Sequence, residues 1–129
     1  MTFREINPET AEPSEVYSLL VGCVVPRPIA FVSSLSLDGV PNLAPFSFFN
    51  AGGAHPPSLV FSPVTTGAGR DKDTLNNVRA TREYVVHIAP WALREKMNQS
   101  SADYAPDVDE FVEAGFTKVA SKKVKAWRA

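Results

Sequence analysis

The sequence predicts an α+β fold: a small antiparallel β-barrel of short strands carrying a few short helices. Three observations predict it. β-Rich runs alternate with turn signals through much of the chain. Between two such runs stands Asp38-Gly39, a strong hairpin signal because glycine accepts the positive φ that the turn demands. Of 11 prolines, Pro26, Pro28, Pro41, Pro45, Pro56, Pro57 and Pro63 fall in the most strand-like half. Proline has no N–H to give a ladder, so it marks edges and corners. A barrel of short strands suits that pattern and a helical bundle does not.

In chain order, Val16, Leu19 and Leu20 give helical spacing over 14–21, with Ser14 as N-cap. Residues 28–35 form the first strand, 37–40 the hairpin turn and 42–50 the return strand. Gly52, Gly53, Pro56 and Pro57 mark a loop before a third strand over 58–62. A glycine-bearing loop over 65–70 leads to a helix over 73–81, and a fourth strand spans 84–89. A helix over 91–100 takes Trp91, Leu93 and Met97 as apolar contacts. A shorter one over 107–114 is stopped by Gly115. The basic tail over 118–129 lacks periodicity and reads as a strand start or a frayed end.

The 129 residues suffice for one core, so 1–129 reads as a single domain. A net charge of −1 gives no general attraction to nucleic acid or anionic lipid, so any bound anion must be caught by local donors. That favours a small phosphorylated ligand over a polymer. The single cysteine, Cys23, permits no internal disulfide and reads as a small buried apolar side chain in a reducing compartment. No run approaches the ~20 apolar residues of a membrane span, and the first residues lack a secretion-signal layout. The expected setting is cytoplasmic, with no membrane partner.

Three constellations bear on chemistry. Arg70-Asp-Lys-Asp-Thr74 precedes the central helix, and a helix start offers free N–H groups and partial positive charge to a phosphate. Arg70 and Lys72 add charge, Thr74 a hydroxyl, and Asp73 an N-cap; the same residues also fit a capped surface helix with solvated charges. In 42–50, strict alternation puts Leu43, Pro45, Ser47 and Phe49 on one face and Ala44, Phe46 and Phe48 on the other. Such a strand is ordinary core, or a flat apolar wall whose Ser47 and Asn50 bond the polar edge of a planar ring. Arg27, stiffened between Pro26 and Pro28, faces a phosphate or stays in solvent. His55 and His87 lie outside any metal-ligand cluster, His87 reads as structural, and no Gly-x-Ser-x-Gly elbow or Cys–His pair supports hydrolysis.

The order of segments carries a resemblance. Pro26-Arg-Pro-Ile-Ala-Phe-Val-Ser-Ser34, Asp38-Gly-Val-Pro-Asn-Leu-Ala-Pro-Phe-Ser-Phe-Phe-Asn50, Lys72-Asp-Thr-Leu-Asn-Asn77 and Glu83-Tyr-Val-Val-His87 resemble the flavin reductase-like family. The resemblance implies an FMN-binding split barrel in a homodimer. It implies flavin contacts at Ser33, Ser34, Asn42, Ala44, Ser47, Phe48, Phe49 and Asn50, and a phosphate side at Ser62, Arg70, Lys72 and Thr74. It further implies either reduction of flavin or another acceptor by NAD(P)H, or an FMN-binding electron carrier or catalytically inert flavin-binding module. The flavin does the hydride work in such proteins, so no catalytic acid–base residue is assigned. Family members continue beyond a segment like 119–125 through barrel-closing strands, whereas this chain stops at Ala129. The exposed edges expected from that are partly covered by a homodimer, or else mark a truncated or frameshifted remnant with weakened flavin affinity.

Overall fold

The computed structural model describes residues 3, 5–65 and 69–129, so 66–68 of the glycine-bearing loop lie outside the described residues. Helix α1 (Pro13–Cys23) opens with proline at its first turn, where a missing N–H costs nothing. Its N-cap is Glu12 without a side-chain bond, not Ser14. None of its residues is buried; Leu19 and Leu20 stay exposed, and Cys23 is exposed rather than packed.

Strand β1 (Ala30–Leu35) is the centre of the fold, antiparallel to β2 (Pro41–Phe46) on one side and β5 (Val85–His87) on the other. Ala30, Val32 and Phe46 form one core cluster, and Phe31, Leu43 and Phe111 form another. Two-sided burial along one strand follows from its central place. The β1–β2 turn closes through Ser36 N to Val40 O at 2.9 Å, with Gly39 at φ 84° as the Asp-Gly pair predicts.

The return strand expected over 42–50 is two strands in different sheets. β2 stops at Phe46, the partner of Ala30, because β1 begins there and leaves residues 47–48 no ladder. The chain bends at Ser47–Phe48 and starts β3 (Phe49–Ala54), which pairs with β4 (Pro57–Phe61). Strict alternation fails across that corner: Phe49 packs on the Ala30–Val32–Phe46 cluster, not on Leu43's side. Gly52 and Gly53 are not loop. They sit in β3 at a register shift, where a Cβ on Gly52 would meet Ser58 Oγ at 2.9 Å. A glycine at a bulge permits that approach.

Helix α2 (Asp73–Thr81) packs on β1 and β2. Its N-cap is Lys72 with no side-chain bond, so Asp73 is the first helical residue rather than the cap. The helix expected over 91–100 divides into a 3-10 turn (Trp91–Leu93) and α3 (Arg94–Gln99). Met97 joins the Phe31 cluster, while Trp91 is 80% exposed beneath the Arg94 guanidinium. Helix α4 (Glu110–Glu113) is capped by Asp109, which accepts from Phe111 N at 3.0 Å, and ends before Gly115 at φ 68°. The tail is not frayed. Val119 and Arg128 bridge, Ala126 is buried, and Trp127 packs on the second cluster.

Candidate functional site

A cleft opens where the β2–β3 corner, the end of β4, the start of α2 and residues 100–104 converge. Its volume is about 180 Å³. One wall is apolar: Ala44, Phe46 and Phe48, with Val64 and Tyr17 beside them. Tyr17 is what α1 contributes, its ring edge-on to Phe48 with centroids 6.0 Å apart. The bend puts Phe48 there, and Ser62 N bonding Phe48 O at 2.9 Å fixes the bend against the end of β4. Facing that wall is the start of α2 with Lys72, and beside it Arg70. No side chain caps this helix, so its first N–H groups remain available to an anion. Arg70 lies 3.9 Å from Asp103, an exposed pair worth little.

The floor is polar and buried. Asn42 gives Nδ2–H to Glu110 Oε1 at 2.6 Å, and Leu43 N gives to Glu110 Oε2 at 3.2 Å. Asn42 Oδ1 accepts from Thr74 Oγ1 at 2.6 Å and from Ser34 Oγ at 3.2 Å. Ser34 Oγ in turn accepts from Asn77 Nδ2 at 3.1 Å. Burial lifts the Glu110 carboxyl above its ordinary range, opposed by its hydrogen bonds and reinforced by the Asp73 carboxylate.

Of the residues singled out from sequence, Asn42, Ala44, Ser47, Phe48, Ser62, Arg70, Lys72 and Thr74 line this one cleft. Ser34 stands behind the floor, bonded to Asn42. Ser33 is buried and gives its hydroxyl to the Trp127 carbonyl, so it pins the tail. Phe49 is turned into the core and Asn50 is exposed on β3, both outside the cleft. Arg27 is neither in solvent nor at the cleft: its Nη1 bonds Val21 O at 2.6 Å and Val24 O at 3.0 Å, closing the end of α1. His87 is structural, its Nδ1 at 2.9 Å from Phe31 O and its Nε2 accepting from Ala129 N at 3.1 Å. Sequence reading missed Tyr17, Asp103 and Glu110. Glu110 carries no local signal, because its partners lie 67 and 68 residues away.

The donor set fits a flavin nucleotide. An apolar wall, two neutral hydroxyls in Ser47 and Ser62, and an uncapped helix start with Lys72 and Arg70 answer a ring, a polar chain and a phosphate. Among the described residues no group of three or more His, Cys, Asp or Glu is placed to hold a metal ion, and no helix is long and apolar enough to cross a membrane.

Fold and cleft together define a class: a split-barrel domain of helices and antiparallel sheets with an open cleft at the β2–β3 corner. The chain belongs to the flavin reductase like domain family, whose model matches residues 21–128. It is 45% identical to an uncharacterized protein of Aquifex aeolicus over 113 residues, covering 88% of this chain and 58% of that protein. Among solved structures, nitrilotriacetate monooxygenase component B from Bacillus cereus superposes with a TM-score of 0.91 at 34% identity, covering 99% of this chain and 63% of that one. The 2-nitrobenzoate 2-nitroreductase NbaA of Pseudomonas fluorescens matches at TM-score 0.80 and 31% identity, covering 97% of this chain and 59% of that one. The chain thus spans about three fifths of the length of these relatives.

Proposed function

We propose that the cleft holds FMN, with the phosphate at the start of α2 beside Lys72 and Arg70 and the ring along the Ala44–Phe46–Phe48 wall. The protein then serves as an oxidoreductase that moves electrons from NAD(P)H to flavin or another acceptor. The carrying observation is that an uncapped helix start and an apolar wall open into the same cleft. Similarity to a nitroreductase and to a monooxygenase component supports the redox reading.

When bound, the flavin supplies the hydride and electron chemistry. The chain's own residues orient it. Lys72 Nζ and the first N–H groups of α2 meet the phosphate charge, Ser47 and Ser62 offer hydroxyls, and Phe46 and Phe48 keep water off one side. A cleft of about 180 Å³ is smaller than a typical ligand pocket. Part of the nucleotide then extends beyond the cleft, where it can be covered by another surface. A second copy of this chain is the proposed cover, giving a homodimer.

Steady-state oxidation of NADH and NADPH with added FMN tests the activity. Turnover is expected with one or both. Bound yellow flavin without turnover would reject the enzyme and leave an electron carrier; a colourless protein that takes up no FMN would reject both.

A further inference from the structure

The cleft floor and the groups bonded behind it come from β1, β2, α2 and α4 and are all less than a tenth exposed: Asn42 8%, Thr74 1% and Glu110 7% at the floor, Ser34 0% and Asn77 8% behind it. Hydrogen bonds in such a set have a direction, and one group sets it. An ionised carboxylate only accepts. Glu110 already takes the Leu43 backbone N–H, which cannot turn away, so Asn42 must present its amide nitrogen to the other oxygen. The Asn42 carbonyl oxygen then faces Thr74 and Ser34, and both hydroxyls must donate to it. Ser34 is left to accept from Asn77. Every proton on the floor is assigned once the charge on Glu110 is assigned.

We infer that Glu110 is a positioning residue: acting through Asn42, it makes Thr74 an acceptor toward a bound flavin and leaves the phosphate to the start of α2. This rests on the flavin reading above. Thr74 Oγ1 has committed its proton to Asn42 at 2.6 Å and keeps only lone pairs. An ionised phosphate offers only acceptors, so Thr74 gives it nothing without breaking that bond and stranding a buried carbonyl. The ring and sugar-alcohol chain of a flavin carry N–H and O–H groups, which an acceptor suits. Asn42 keeps one N–H after serving Glu110, so the floor pairs one donor with one acceptor.

The same assignment makes the floor sensitive to protonation of Glu110. The groups facing it are Asp73 at the start of α2, with Arg70, Lys72 and Asp103 lining the same cleft. Asp73 opposes ionisation.

Two measurements test the inference. In the ligand-free protein, ¹⁵N NMR is expected to show the Asn42 side-chain amide and the Leu43 amide titrating together, with a midpoint above the usual glutamate range. Glu110→Gln should abolish that shared step while the remaining amide spectrum reports an intact fold. An Asn42 side chain indifferent to pH and to Glu110→Gln would overturn the assignment. Binding of FMN and of riboflavin, which lacks the phosphate, supplies the second. Thr74→Val should weaken both by the same factor, about 2- to 10-fold, whereas Lys72→Ala should weaken FMN alone. Loss of FMN affinity in Thr74→Val with riboflavin untouched would make Thr74 a phosphate donor and end the inference, though not the flavin reading. If the unaltered chain binds neither flavin, the flavin reading and this role of Thr74 fall together, and the titration still decides whether Glu110 directs the floor.

Discussion

The sheet β2–β1–β5 and the hairpin β3–β4 are both antiparallel and both made of short strands, yet they are held by different things. β1 is buried along nearly its whole length between two partners, under α2 and against the tail. β3 is exposed from Asn50 to Ala54 and β4 from Pro57 to Val60, with Leu59 50% and Val60 55% exposed. A lone two-stranded hairpin is marginal in water. The polar floor of the cleft therefore rests on the buried sheet and the helices packed on it, while part of its rim, Ser47, Phe48 and Ser62, flanks a hairpin short of cover.

Mutations sharpen that contrast. The largest effect is expected in the core under the sheet, where Phe31→Ala in β1 or Phe111→Ala in α4 should cost about 3–5 kcal/mol in denaturant unfolding. Next comes Glu110→Ala, which strips the acceptors from Asn42 Nδ2 and Leu43 N and should cost about 1–3 kcal/mol.

Two titrations follow, with opposite signs. Burial depresses the His87 pKa below its ordinary 6.5, with the Arg128 charge pushing the same way against the Phe31 carbonyl. Its contribution is therefore complete above pH 6.5 and is lost as pH falls through the depressed value, because a protonated ring cannot accept from Ala129 N. Thermal melts should show this acid loss, and His87→Phe should flatten it. Glu110 has a raised pKa, so its contribution is present below its ordinary 4.5 and is lost as pH rises through the raised value. Glu110→Gln should flatten that second slope.

The smallest effect belongs to the hairpin. Val60→Ala should change stability by less than about 0.5 kcal/mol in dilute protein. A larger cost that grows with protein concentration would show that a second copy covers the hairpin, which mass in solution also checks.

Turn and helix-stop signals in the sequence held, whereas the local N-cap signals at Ser14 and Asp73 did not. The Asp38-Gly39 turn stands where turn chemistry puts it, and the helix expected over 73–81 is α2 with those bounds. Gly115 ends α4 with positive φ for the same reason. Signals that needed a partner in space misled. Gly52 and Gly53 look like a loop in one dimension, and only the approach of Ser58 shows them as a bulge in a strand. Alternation over 42–50 assumed one continuous ladder, which ended where β1 begins. In the cleft, Lys72 and Ala44 were legible because a helix start and an apolar strand are local features. Glu110 was not, since what makes it matter is a pair of bonds to residues 67 and 68 positions earlier.

The proposed function requires a flavin nucleotide in this cleft, its phosphate on the start of α2. Amide chemical shifts of the ¹⁵N-labelled chain, followed as FMN is added, test it most directly. Changes are expected at Ala44–Phe48 and at Lys72–Thr74, those at Lys72 and Asp73 greatly reduced when riboflavin replaces FMN. Changes confined to another face, such as the apolar groove between Leu59 and Leu75, or none at all, would contradict it.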